Sequence, residues 1–225
     1  METSIGISSP TSPRVSAREL AAMDFRFRSG RRSLDLAATL GGRHRRPIER
    51  LGGPGDLARW FGEAGLLAGP PPVDDDRLIL ARELREAIYR CARSVIGGAA
   101  PAPGDVAVLN AHAAVPPLVP VLDAATRAIT WTAPDLVAAA LSEVARDAVD
   151  LLGGPQAERI RECAGDGCSL LFVDVSGAGR RRWCAMGGCG NLEKVRRHRR
   201  RSGPERIAGE RPGESIERPE GEAFR

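Results

Sequence analysis

Residues 163–189 read CAGDGCSLLFVDVSGAGRRRWCAMGGC, and this stretch decides the fold of the C-terminal part. It holds two cysteine pairs, Cys163 with Cys168 and Cys184 with Cys189, in the pattern C-x4-C-x15-C-x4-C. Two such pairs, joined by a short segment, are typical of tetrahedral zinc sites. Because four thiolates close the coordination sphere, the pattern predicts one structural Zn²⁺ ion rather than a catalytic one.

The residues around the cysteines support a metal site. Glycines flank both pairs, where they allow tight turns and let backbone N–H groups point at sulfur. Residues 170–173 (LLFV) predict a strand after the first pair, but the segment has too little apolar surface to fold without a metal. An iron–sulfur cluster also accepts four thiolates, and four unrelated buried cysteines are the plain structural alternative.

A basic segment follows the last cysteine. Residues 191–201 (NLEKVRRHRRR) predict a helix capped by Asn191, with Leu192 and Val195 as a narrow apolar stripe facing the zinc site. Between Arg159 and Arg201, eleven Arg and Lys residues stand against four acidic ones, a net of +7, whereas the rest of the chain sums to −3. This asymmetry indicates a nucleic-acid partner. The residues predicted to contact it are Arg180, Arg181, Arg182, Lys194, Arg196, Arg197, Arg200 and Arg201.

Other interpretations of the basic segment stay open. All but one of the 33 basic residues are arginine, so arginine richness alone is weak support for nucleic acid. Charge runs are commonly solvated helix faces, and arginine serves phosphate and guanine alike. RNA in place of DNA, or a protein partner, would also suit a basic zinc finger.

The N-terminal part is predicted to be helical. Apolar periodicity and start or stop residues predict helices over 33–40 with Ser33 as N-cap, from Pro54, over 75–96 with Asp74 as N-cap, over 104–114 and over 135–152. Phe25 to Phe27 predicts a short strand, and residues 119–122 with 128–131 a small hairpin. We expect Phe25, Phe27, Arg31, Asp35 and Trp60 to be the candidates for a ligand pocket, with ordinary core packing as the alternative.

The predicted fold class is therefore mainly α with a few short β-strands, in which a helical N-terminal domain precedes a small four-cysteine zinc finger made of a knuckle, a strand or hairpin, and a helix. The predicted boundaries are residues 1–14 disordered, 15–154 helical domain, 155–201 zinc finger with basic helix, and 202–225 disordered acidic tail.

Composition and motifs also exclude some classes. No apolar run is long enough to cross a bilayer, and the first fourteen residues lack the basic start and apolar stretch of a signal peptide, which predicts a cytoplasmic protein. Clustered cysteines in that compartment favour metal over disulfides. No catalytic motif is visible, so we expect no enzyme. A homodimer and a small-molecule effector are expectations for the helical domain.

The cysteine segment, with 180–191 (RRRWCAMGGCGN) and 194–199 (KVRRHR), resembles the CGNR zinc-finger proteins. Upstream, residues 25–36, 56–60 and 84–89 resemble the ABATE domain that commonly precedes this finger. The resemblance covers most of the chain and implies a bacterial stress-induced transcription regulator with a DNA-binding finger. Two residues depart from the family pattern: Leu192 stands where the family name has Arg, and Ala185 where a small hydroxyl residue is common.

Overall fold

The structure is a computed structural model that describes residues 24–201. The predicted disordered ends, 1–14 and 202–225, lie outside these residues. The described part holds six α-helices and six short strands: α1 (Arg32–Ala37), β1 (Leu40–Gly41), β2 (Ile48–Glu49), α2 (Pro54–Glu63), α3 (Asp75–Ile96), α4 (Pro103–Ala113), β3 (Val119–Leu122), β4 (Ile129–Thr132), α5 (Leu136–Gly153), β5 (Ile160–Glu162), β6 (Leu171–Val173) and α6 (Asn191–Arg201). The predicted mainly α class with short strands is confirmed.

The long helices begin where their capping residues predict. Asp74 accepts a hydrogen bond from the backbone N–H of Arg77 at 2.8 Å and opens α3. Asp135 does the same for α5, accepting from the N–H of Ala138 at 2.9 Å. Pro54 is the first residue of α2, a position whose backbone N–H would have no acceptor within the helix. Local sequence signals therefore set three of the helix starts.

The main core lies between the helices. Helices α3, α4 and α5 pack against one another, and α1 packs against α3 and α5. Trp60 and Phe61 of α2, Leu84 and Ile88 of α3 and Leu141 of α5 are completely or almost completely buried in it. Since burying one such side chain contributes about 1.5–3 kcal/mol, this cluster supplies most of the stability of the helical part.

Two predictions at the start of the described chain were wrong. Phe25 to Phe27 forms no strand, because no described segment pairs with these residues through backbone hydrogen bonds. Helix α1 covers Arg32–Ala37, and Ser33 does not cap it. The buried Ser33 hydroxyl instead donates to Asp147 of α5 at 2.5 Å, so it is not available to cap α1.

The strands form three separate antiparallel pairs within the described residues. The β1–β2 pair was not predicted, since each strand has two residues and no detectable alternation. The β3–β4 hairpin was predicted, and all eight of its residues are exposed, including Leu122 and Trp131. Its turn contains Arg127 at a positive φ of 59°.

Strand β6 joins two hydrophobic clusters. It pairs with β5, with Ile160 opposite Val173. Successive side chains of a strand point to opposite faces. Accordingly, Leu171 and Val173 lie in the main core, while Phe172 lies in a second cluster with Ala38, Cys163, Leu170 and Cys184, which we call the finger core. One three-residue strand thus connects the helical part to the cysteine-containing part.

Within residues 24–201, none of the helices has the length and hydropathy needed to cross a membrane.

Candidate metal centre and basic helix

The four predicted cysteines meet at one point. Their sulfur atoms all lie within 4.8 Å of one another, and no His, Asp or Glu of the described residues joins the group. The Sγ atoms of Cys184 and Cys189 are 3.7 Å apart, far beyond the S–S bond length of about 2.05 Å. A Zn–S bond of about 2.3 Å implies tetrahedron edges of about 3.8 Å, so this spacing fits zinc.

Backbone geometry supports the same conclusion. The sulfur of Cys163 accepts hydrogen bonds from the N–H groups of Gly165 at 3.4 Å and Cys184 at 3.3 Å. Thiols of Cys168 and Cys184, together with these amides, hold the pKa of Cys163 well below its usual range. A thiolate supported by N–H donors is the form in which cysteine binds a metal. The residues therefore fit one structural zinc ion.

Gly165 is required by the closeness of the two cysteine pairs. A Cβ atom at this position would lie 2.8 Å from the Cβ of Cys189 and 2.9 Å from its sulfur. Gly167 has a φ of +71°, a left-handed conformation that suits the turn before Cys168. Glycine at these two positions lets the first knuckle (residues 163–168) approach the second (residues 184–189).

Arg181 holds the segment between the two cysteine pairs. Its guanidinium donates to the carbonyl oxygens of Trp183 at 3.0 Å and Cys184 at 2.5 Å, and it lies 4.4 Å above the ring of Phe172. Its backbone N–H donates to the buried Asp174 at 2.9 Å. These contacts give the Arg181 side chain a structural role, and its predicted contact with nucleic acid stays a prediction.

Most of the other predicted contact residues are exposed. Arg196 is half-buried and forms an ion pair with Asp166 at 2.8 Å. Arg201 ends α6, and its side chain is not described. The remaining predicted residues are exposed and form no ion pair with an acidic residue of the described chain; we call them the exposed basic set: Arg180, Arg182, Lys194, Arg197 and Arg200.

The orientation predicted for α6 was wrong. Leu192 is 62% exposed and Val195 is 48% exposed, so neither faces the zinc site. Helix α6 continues directly from the π-helical turn Met186–Gly190, and its Arg196 pairs with Asp166 of the first cysteine loop. At 100° per residue, Lys194, Arg197 and Arg200 share one side of α6, while Leu192 and Val195 lie on the other.

The five predicted pocket residues lie in two groups, one aromatic and one hydrogen-bonded. The rings of Phe25 and Phe27 meet edge-on and those of Phe27 and Trp60 are tilted, with centroids 6.3 Å apart in both pairs, and Trp60 is fully buried. Arg31 donates to Asp147 at 2.8 Å on α5. The Asp35 carboxylate accepts from the N–H groups of residues 28 and 29 at 3.1 Å. Phe25 and Trp60 are packed in the main core, whereas Phe27 is 39% exposed, so the ligand pocket stays a prediction.

Together, the helical part and the sulfur cluster define a zinc-finger protein with a larger helical domain on its N-terminal side. Residues 30–155 match the ABATE family model, which is described as a putative stress-induced transcription regulator. Because this match spans more than half of the chain, the protein belongs to the ABATE family. Residues 159–202 match the CGNR zinc finger. The resemblance predicted from the sequence is thus confirmed, and neither family is one of enzymes.

A search of curated proteins finds no match for this chain.

Proposed function

We propose that the protein regulates transcription by binding duplex DNA through residues 155–201, with residues 15–154 as the regulatory part. One observation carries this proposal: the exposed basic set stands beside the metal centre without acidic partners among the described residues. Solvated basic side chains with no acidic partner among residues 24–201 can replace counterions on phosphate, which is the main source of affinity for nucleic acid.

The shape of the basic surface supports duplex DNA. Lys194, Arg197 and Arg200 recur at intervals of three residues along one side of α6, and Arg180 and Arg182 add charge from the preceding loop. Eleven residues of helix span about 16 Å, enough for one groove segment. Apart from Arg196, which pairs with Asp166, the basic residues of α6 with described side chains are exposed and available to a groove.

The metal has an indirect role in this proposal. When zinc is bound, it fixes the two knuckles relative to each other, and Arg181 fixes the loop between them through three acceptors. The residues that would touch DNA are outside this frame, so they can be replaced without disturbing it. This separation allows the proposal to be tested with surface variants.

The test measures anisotropy of a labelled duplex titrated with zinc-loaded protein at several salt concentrations. We expect the double variant Arg197→Gln, Arg200→Gln to bind more weakly, with the log–log salt slope smaller by about 2, since each phosphate contact contributes about one. The control is Arg32→Gln, an exposed arginine of α1 outside the finger. Equal affinity and slope for the double variant and the control would refute DNA binding by this surface.

Two further arms separate the alternatives. Single-stranded RNA that competes better than duplex DNA would assign the surface to RNA. The variant Cys184→Ser, Cys189→Ser should lose both zinc and DNA binding. The homodimer expected from the sequence stays a prediction, and sedimentation velocity of the full chain tests it.

A further inference from the structure

A cavity lies between the helical part and the first knuckle of the finger. Its volume is about 340 Å³, within the range of small-molecule sites. One wall is the β1–β2 region, and the other is residues 166–170 with Cys189. The two walls are tied together, because the N–H of Arg43 donates to Ser169 at 3.1 Å and Arg45 pairs with Asp166 at 2.6 Å.

Four arginines line this cavity: Arg26, Arg45, Arg46 and Arg50. The single acidic residue on its wall, Asp166, is already shared by Arg45 and Arg196. Within residues 24–201, neither Arg26 nor Arg46 has a hydrogen-bonded partner for its side chain. Cys168 and Cys189 also line the cavity, and four thiolates around one Zn²⁺ would carry a net negative charge, so the four arginines leave the cavity with a small net positive charge.

Arg50 is the most informative of the four. It is 2% exposed, and no carboxylate of the described residues pairs with it. Its Nη1 donates to the carbonyl oxygen of Ala38 at 3.2 Å, while its Nε is buried with no partner. The neighbouring Glu49 is engaged by Arg85, at 2.6 and 2.8 Å. Burying a guanidinium without a counterion is costly, so the site favours an anion.

The backbone is shaped to hold Arg50 in place. A Cβ on Gly41 would lie 2.6 Å from the Nη1 of Arg50, so a larger residue there would require the guanidinium to shift. Gly42 has a φ of +62°, and a Cβ there would lie 2.3 Å from the carbonyl oxygen of Arg46. Burial, with the charge of Arg26 in second place, lowers the pKa of Arg50 to about 10, which leaves it charged at neutral pH.

We propose that this cavity binds a small organic anion, with a carboxylate or phosphate head at Arg50 and Arg46 and an apolar body between the helical part and the finger. The apolar body is inferred from the rest of the wall, which includes Ala38, Leu40, Ile48 and Leu170. Since Ala38 and Leu170 also belong to the finger core, an occupant would contact the packing that supports the zinc site.

The test is calorimetric titration of the zinc-loaded full chain with four probes. Phenyl phosphate and benzoate carry an apolar body on the two anionic heads, inorganic phosphate is a head alone, and benzyl alcohol is the neutral match. We expect phenyl phosphate or benzoate to bind, and the stronger of the two identifies the head. Benzyl alcohol should show no heat. Binding by none of the anions, or equal binding by benzyl alcohol, would overturn the proposal.

Variants locate the bound anion. Arg50→Met keeps the side-chain bulk without the charge and should weaken binding by about 10–100-fold, the effect expected for losing charged hydrogen bonds. Arg46→Gln changes an exposed residue of the rim, so it keeps the test valid if Arg50→Met fails to fold. Arg32→Gln is the control, with unchanged affinity. If both single variants, Arg46→Gln and Arg50→Met, bind the anion as tightly as wild type, the anion lies elsewhere and the assignment is overturned. If Arg50→Met does not fold, wild-type affinity of Arg46→Gln has the same consequence. Because no DNA is present, failure here would leave the proposed function unaffected.

Discussion

Replacing Phe172 by alanine tests whether the finger and the helical part unfold as one unit. Phe172 is fully buried in the finger core, and Arg181 lies over its ring. Removing a buried phenyl ring costs about 3–5 kcal/mol, including the cation–π contact. With a urea dependence of about 2 kcal/mol/M for a chain of this size, the midpoint should fall by roughly 2 M.

The matched control is Val173→Ala, one residue further along β6 and on its opposite face. It removes two methyl groups at about 0.8 kcal/mol each, plus a cavity term, for a total of about 2 kcal/mol. Both substitutions change the same strand, but Val173 faces the main core and Phe172 faces the finger core. If β6 couples the two cores, both variants should lower the stability of the whole chain.

Two signals follow the unfolding. Far-UV circular dichroism reports the helices, and the thiolate-to-cobalt absorption of Co²⁺-loaded protein reports the sulfur cluster. We expect the two signals to be lost together in each protein, at a urea midpoint about 2 M below that of wild type for Phe172→Ala and about 1 M below it for Val173→Ala. Loss of the cobalt band from Phe172→Ala at low urea, with the helical midpoint of wild type, would show that the finger unfolds alone and would refute the coupling.

Three further outcomes are expected. Gly165→Ala should weaken zinc binding in chelator competition, because its Cβ meets Cys189 at 2.8 Å, whereas Gly177→Ala, with nothing within 4 Å, should not; equal affinities would contradict the packing argument. The wild-type salt slope for duplex DNA should be near −4.5, at about 0.9 for each residue of the exposed basic set, and a slope near zero would rule out phosphate contacts. Burial raises the pKa of Asp35 from 3.8 to about 6, so the folded chain holds this proton more tightly and its stability falls as pH rises between these values. Relative to Asp35→Asn, wild type should lose on the order of 3 kcal/mol across that window, measured by urea unfolding at each pH, and parallel pH profiles would disprove it.

Features set by neighbours in sequence could be predicted. The caps Asp74 and Asp135 act on N–H groups three residues away, so the starts of α3 and α5 were readable. Each cysteine pair is also local: four intervening residues with glycine bring two sulfurs together. To predict the metal site, the two pairs also had to meet in the fold. Four thiolates in this pattern indicated that they do, because together they complete one tetrahedral zinc site.

Features set by distant contacts could not be predicted. Arg181 looked like its neighbours Arg180 and Arg182 in a run of three, and its position over Phe172 distinguishes it. The orientation of α6 depends on the π-helical turn Met186–Gly190, which has no periodic signal. The cavity joins residues near Arg50 to residues near Cys168, more than a hundred positions apart, and no local pattern links them.

The β3–β4 hairpin is anchored at its two ends alone. Leu118 is buried just before β3, and Ala133 packs on the main core just after β4, while every residue of the two strands is exposed. Folding of the helical part therefore gains little from these eight residues. It follows that the hairpin could be trimmed to a short turn between Leu118 and Ala133 with a small change in melting temperature. Any selection for its apolar side chains must then come from contacts beyond the folded monomer.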